Sequence, residues 1–304
     1  MKPPTPQFDL SSLGSLYPYE SNYLDANGLK YHYLDQGQGD PLLMLHGNPT
    51  WSFYFRSLIN ALSPDYRCIV PDHIGCGLSE KPDGKKYDYT LKSRVNDLEC
   101  LISHLDLDKK ITLVVHDWGG MIGLAFALQH LETIGRIIIM NTSGFLPPSG
   151  ENIPIRLRFI RDFKLLSKIL VQGFNLFSFS ALYMASKKGL PKDVKKGLTA
   201  PYNSWKNRIA TLKFVHDIPL DETHQSYNLV SHVDKNLHTL TDIPMMFCWG
   251  EHDFVFDLSY LDEWKRRFPD TEFHTLPDAG HYALEDSPDI IVSLVKDFLK
   301  MNPL

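Results

Sequence analysis

Ile111-Thr112-Leu113-Val114-Val115-His116-Asp117-Trp118-Gly119-Gly120 is the stretch on which the fold turns. Its first five residues are apolar or β-branched without polar alternation, as in a strand buried on both faces, and the apolar run after Gly120 has helical length. A strand passing through one sharp turn into a helix is the layout of a nucleophile elbow, which exposes the residue at its tip. Where a G-x-Ser-x-G string would place a serine, this chain has Asp117 within Val115-His116-Asp117-Trp118-Gly119. Alone, the aspartate reads equally as an N-cap of the following helix.

Three features elsewhere favour chemistry. Asp253, in Gly250-Glu251-His252-Asp253, follows an apolar strand at 245–249, and His281, in Asp278-Ala279-Gly280-His281-Tyr282, follows the last expected strand. Nucleophile, acid, histidine is the chain order of the α/β-hydrolase triad, each at the carboxyl end of a strand. Leu45-His46-Gly47-Asn48-Pro49 follows an earlier core strand, where that fold places oxyanion donors.

A carboxylate nucleophile narrows the substrate. Serine attacking an sp3 carbon would leave an ether, which an activated water does not cleave, whereas a carboxylate leaves an ester, which it does. Asp117 therefore suits alkyl electrophiles, with His281 deprotonating the water and Asp253 orienting the imidazolium. Trp118 Nε1–H and the Asn48 side-chain amide are candidate donors to a departing anion. Each has a plainer role available, Trp118 as packing and Asn48 as shaping the turn before Pro49.

Working outward, apolar runs at 41–45, 66–70, 111–115, 136–140 and 245–249 alternate with helical patterns at 51–62, 91–105, 119–130 and 258–268. Asn27-Gly28, between short strand patterns, marks an opening hairpin. A strand at 272–276 and a helix at 290–300 close the chain. Unalternating strands separated by helices mean a mostly parallel central sheet with helices on both faces. From 143 to 229 the strand pattern vanishes into helical, aromatic-rich and proline-punctuated text, read as an inserted helical cap. The expected organisation is an α/β core at 1–142 and 230–304, with the cap at 143–229 between its two parts.

The chain's 304 residues, with 31 Lys+Arg against 36 Asp+Glu, have a net charge of −5, which excludes an electrostatic nucleic-acid binder. With 43% hydrophobic and 22% charged residues the composition is globular. Four scattered cysteines without a CxxC pair, and an N-terminus without an apolar signal core, point to the cytoplasm. Neither of the most apolar stretches, 111–128 and 169–185, reads as a transmembrane segment. No P-loop, dinucleotide fingerprint or HExxH string occurs, so no cofactor or metal is expected. The basic stretch Arg156, Arg158, Arg161, Lys164 reads as a solvated cap face, with docking to an acidic partner as the alternative.

Longer motifs carry a resemblance. His46-Gly47-Asn48-Pro49-Thr50-Trp51-Ser52-Phe53-Tyr54-Phe55-Arg56, Pro71-Asp72-His73-Ile74-Gly75-Cys76-Gly77-Leu78-Ser79 and His116-Asp117-Trp118-Gly119-Gly120 resemble the haloalkane dehalogenase superfamily. With Trp249-Gly250-Glu251-His252-Asp253-Phe254-Val255-Phe256-Asp257, and cap text such as Ala200-Pro201-Tyr202-Asn203-Ser204-Trp205, they are similar to the branch containing the β-lactone decarboxylases of bacterial olefin biosynthesis. The resemblance implies Asp117 as nucleophile, His281 as base, Asp253 as acid, and Asn48 with Trp118 as the halide or leaving-group pair. Some relatives keep the acid after the preceding strand, where Asn141 stands and cannot ionise. The implied substrate is a small hydrophobic molecule, best a cis-3,4-dialkyl β-lactone giving a cis-alkene, with hydrolytic dehalogenation as alternative; assembly with other olefin-pathway enzymes is the implied partnership. An epoxide hydrolase is the third reading, with Tyr183 and Tyr202 as candidate cap acids. The apolar stretch 169–185, with Phe174, Leu176, Phe177, Phe179, Leu182 and Met184, could line an alkyl channel or pack as a cap helix.

Overall fold

The computed structural model describes residue 8, residues 10–148 and residues 153–304. β1 (Asn22–Ala26) and β2 (Leu29–Gln36) pair antiparallel as the opening hairpin. Asn27 at φ 54° and Gly28 at φ 81° make its turn, two left-handed residues matching the twist of the strands they join. Six further strands follow: β3 (Pro41–Leu45), β4 (Arg67–Pro71), β5 (Ile111–His116), β6 (Ile134–Met140), β7 (Met245–Gly250) and β8 (Glu272–Leu276). Among the described residues they form one eight-stranded sheet in the order β1-β2-β4-β3-β5-β6-β7-β8. Every pairing from β4 to β8 is parallel.

The strands lack polar alternation because both faces are covered. Leu43, Leu45, Leu113, Val115, Ile137 and Ile139 face one core with α2 (Leu91–Leu105) and α3 (Trp118–Gln129). Leu42, Met44, Val114, Ile138 and Met140 face the other, with α1 (Arg56–Leu62). Element limits move slightly from expectation. The 51–62 pattern divides into a 3-10 turn at Ser52–Phe55 and α1, a tighter turn that buries Phe53, Tyr54 and Phe55 together.

Among the described residues six α-helices lie between β6 and β7, the first five being α4 (Ile155–Asp162), α5 (Lys164–Lys168), α6 (Leu176–Met184), α7 (Lys192–Thr199) and α8 (Ile209–His216). Next comes α9 (Tyr227–Asn236), which packs against α3 and sends Val230 and Val233 into the first core. The break expected at 229 therefore falls within a helix. After β7 come α10 (Leu258–Arg267), α11 (Ala283–Asp286) and α12 (Pro288–Met301). α12 begins at a proline, whose missing N–H would be unpaired in a first turn anyway.

The chain leaves β3 for β4 on one side and returns to β5 on the other. That reversal opens a crevice at the carboxyl ends of β3 and β5, where open parallel sheets bind ligands.

Candidate active site

Asp117 stands in that crevice, just past β5, at φ 52° and ψ −129°, a strained conformation for a non-glycine residue. Its neighbours leave it little choice. The Thr142 hydroxyl donates to its carbonyl oxygen, and a Cβ on Gly119 would overlap the Leu45 carbonyl, so α3 starts pressed against β3. A Cβ on Gly47 would overlap the Asp117 carboxylate itself. The side chain does not cap α3. Its Oδ1 instead accepts the backbone N–H of Asn48 at 2.7 Å, and the N–H of Trp118 also holds the carboxylate.

Asp117 Oδ2 faces His281 Nε2 at 3.5 Å. His281 Nδ1 donates to Asp253 Oδ2 at 2.8 Å. The three residues expected from three strand ends are thus brought into one line. Asp253 also accepts from Asn141 Nδ2 at 3.0 Å and from the Val255 N–H at 2.7 Å. Asn141 Oδ1 accepts from Gly250 N–H at 2.9 Å, so one amide ties the end of β6 to the end of β7 and to the carboxylate.

Burial raises the Asp117 pKa above the ordinary carboxylate value, opposed by the charge of His281 and by the Trp118 and Asn48 amides. For His281 burial acts the other way and lowers the pKa, but the charge and hydrogen bond of Asp253, with Asp117 added, outweigh it, so the imidazole is raised overall. His116, wholly buried, is held well below its usual value by desolvation, and its Nε2 lies 2.8 Å from the His281 carbonyl. A neutral imidazole donating that bond props His281 from behind.

Over the carboxylate is a cavity of about 600 Å³. Trp118, Phe145, Leu157, Phe177, Val215 and Phe256 are among its apolar walls, and Asn48, Asp117 and His281 bring polar groups to it. Asn48 gives one amide hydrogen to the Thr211 carbonyl at 3.0 Å, which leaves its second for a ligand. Neither tyrosine considered as an epoxide-opening acid lines the cavity: Tyr202 is buried and donates to the Thr50 carbonyl at 3.0 Å, and Tyr183 is 72% exposed. The 169–185 stretch divides. Leu176, Phe177 and Met184 line the cavity, Phe174 and Phe179 are exposed, and Leu182 is buried in the second core.

Sequence reasoning missed Asn141 as a partner of Asp253. A polar residue immediately after an apolar strand, at the level of the other site residues, was its signal. It also missed His116, which reads only as a buried histidine preceding the elbow.

The family model described as the alpha/beta hydrolase fold matches residues 40–288. Over 288 residues the chain is 47% identical to a cis-3-alkyl-4-alkyloxetan-2-one decarboxylase of Shewanella oneidensis, covering 94% of this chain and 90% of that protein. It is 30% identical over 282 residues to haloalkane dehalogenase 2 of Mycobacterium tuberculosis, covering 92% and 95%. The solved haloalkane dehalogenase DatA of Agrobacterium tumefaciens superposes with a TM-score of 0.82 at 23% identity, covering 97% of this chain and all of that one, a likeness of fold.

Proposed function

We propose, from the premise that this chain belongs to the alpha/beta-hydrolase-fold family of enzymes, that it opens cis-3,4-dialkyl β-lactones with Asp117 and releases a cis-alkene and carbon dioxide. One observation carries the reading: a carboxylate with one oxygen held by the Asn48 backbone amide and the other turned to a histidine, lining an apolar cavity. The 47% identity to a protein named for that substrate class supports the choice of lactone over haloalkane.

Attack by Oδ2 on the ring carbon that bears oxygen breaks its C–O bond with inversion. The ring opens to an alkyl ester of Asp117 with a carboxylate on the adjacent carbon. The bond between that carbon and its carboxylate then breaks, its electron pair forms the C=C bond, and the ester C–O pair returns to Asp117. Lactone becomes alkene plus carbon dioxide, with no water consumed and no net proton moved. One inversion followed by an anti elimination keeps the cis relation of the alkyl groups. Attack at the carbonyl would instead bind the carboxyl carbon to Asp117, from which carbon dioxide cannot leave directly.

In this scheme the Asn48 and Trp118 amides stabilise the carboxylate as it departs. The His281 imidazolium, kept charged by Asp253, faces the carboxylate opened from the ring. The Trp118 ring N–H and the free Asn48 amide hydrogen are the leaving-group donors. The helices from α4 to α8 act as the cap that shapes the alkyl site. Hydrolytic dehalogenation is the second reading, favoured by His281 standing where neutral imidazole would deprotonate a water attacking the Asp117 ester. The same proposal puts the enzyme in the cytoplasm, beside other enzymes of olefin synthesis, and its free thiols fit a reducing compartment.

The test is a side-by-side assay of the purified protein with a long-chain cis-β-lactone and with 1-bromo- and 1-iodoalkanes. The expected result is cis-alkene from the lactone faster than halide from either alkyl halide. Fast halide release with no alkene would reverse the two readings. Inertness to all three, with no adduct on Asp117 in intact-mass spectra, would end both.

A further inference from the structure

The helices over the cavity carry large apolar side chains toward water. From α4 to α6, Ile155, Phe163, Leu165, Phe174 and Tyr183 are 56% to 83% exposed. Ile155, Phe159 and Leu176 belong both to this outer surface and to the cavity lining, so the cavity's mouth is itself apolar and continuous with the patch. Patches of this kind mark interaction sites in folded proteins.

The charge around the patch says what it meets. Residues 155–184 contain five Lys or Arg and a single acidic residue, Asp162, in a chain whose net charge is −5. Arg158 and Arg161 both turn to Asp162, at 3.5 and 2.8 Å, so one carboxylate answers two guanidinium groups and the face stays cationic. Lys168 lies 5.8 Å from the ring centre of Trp205, which is itself 48% exposed at the same edge. Apolar side chains ringed by Lys and Arg, with a Trp at the margin, match the layers of an anionic lipid surface.

The same helices do not make one straight span. Lys164–Gly173 and Leu176–Met184 meet at 73°, and among the described residues no single helix is long and apolar enough to cross. Their inner side is committed to the protein, with Ser167, Val171, Gln172, Ser178 and Leu182 buried.

We propose that the α4–α6 face docks on an anionic phospholipid bilayer, with the cavity mouth opening into the lipid, so that a long-chain alkyl substrate reaches Asp117 without crossing water. The route to Asp117 rests on the function proposed above; the docking does not.

The experiment is flotation of the full chain with phosphatidylcholine vesicles, with and without about 30 mol % phosphatidylglycerol, in the absence of any lactone or haloalkane. Expected is binding to the anionic vesicles about tenfold tighter than to the neutral ones, weakened by salt, and reduced about tenfold again by Leu165→Asp or Phe174→Asp. Both side chains are exposed and outside the cavity lining, and unchanged far-UV spectra and melting would separate lost docking from lost folding. If a variant does not fold, the anionic-lipid and salt dependence of the wild type still decides. No flotation with either vesicle overturns docking and leaves the face to a protein partner. A wild-type dimer that Leu165→Asp converts to monomer overturns it in favour of a second copy. Because no substrate is present, failure here leaves the lactone reaction standing, and failure of the lactone assay leaves docking standing.

Discussion

Asp253 accepts hydrogen bonds from His281, Asn141 and Val255, so its orientation is fully specified before any substrate binds. The position of Asp253 was legible in the sequence, because an acid after β7 and a histidine after β8 follow chain order. Its amide partner was not, because Asn141 lies 112 residues away and reads there only as a missing carboxylate. The bond to Asp253 raises the His281 pKa, and an asparagine at 253 would remove that charge. Asp253→Asn should lower lactone turnover at neutral pH by about three to four orders of magnitude with the fold intact. Activity in this variant should partly recover as pH falls below about 6.5, the ordinary imidazole value, because burial, no longer outweighed by Asp253, lowers the His281 pKa. Recovery would stop where Asp117 protonates, at a pH above the ordinary carboxylate range because burial raises it. A pH–rate profile for both proteins checks this; unchanged turnover in Asp253→Asn at neutral pH, or activity rising only toward alkaline pH, would contradict the role of a charged His281.

In the proposed reaction the helices between β6 and β7 shape the alkyl site, and sequence reads them least well. Phe174, Leu176, Phe177 and Leu182 look alike in a hydropathy pattern, yet Phe174 reaches solvent, Leu176 and Phe177 the cavity, and Leu182 the core. The cause is a break at Asn175, left-handed at φ 54°, which turns α6 away from the helical turn before it and resets which face looks inward. Met184 lines the cavity. Met184→Trp would fill part of the alkyl space, and displacing two methylenes costs about 1.6 kcal/mol, or about 15-fold in kcat/KM. Long-chain lactones should lose that factor while the shortest accepted chains lose little. A uniform loss across chain lengths would mean that Met184 does not bound the alkyl site.

At the scale of the molecule, Asp72 joins segments that meet only in the finished fold. It accepts from the N–H groups of Ser52, which opens the 3-10 turn before α1, and of Leu78, in a buried loop, and lies 2.8 Å from His32 Nδ1 of β2. Burial alone would raise its pKa, but His32, His46 and the Leu78 amide outweigh it and hold the carboxyl well below the usual range. A depressed folded pKa stabilises above the unfolded value of about 3.9, and the contribution is lost as pH falls below it. The raised His281 has the opposite sign: its contribution is full below about 6.5 and is lost as pH rises through the folded value. Melting temperatures against pH should therefore show Asp72→Asn costing most above about pH 4 and little in acid, and His281→Gln costing most below about pH 6.5. A deficit of Asp72→Asn that persists undiminished in acid would mean packing rather than charge is lost. The parallel sheet, the elbow at Asp117 and the placing of Asp117, Asp253 and His281 after successive strands were determined by sequence alone, because each follows from local residue chemistry and chain order. Tertiary structure alone decided that Asn48, 69 residues from Asp117, presents its backbone amide to the carboxylate and ties its side chain to α8, that Asn141 clamps Asp253, and which apolar cap residues face the cavity or water. Those outcomes depend on how distant segments rotate against one another as they pack, and a one-dimensional pattern carries no record of that rotation.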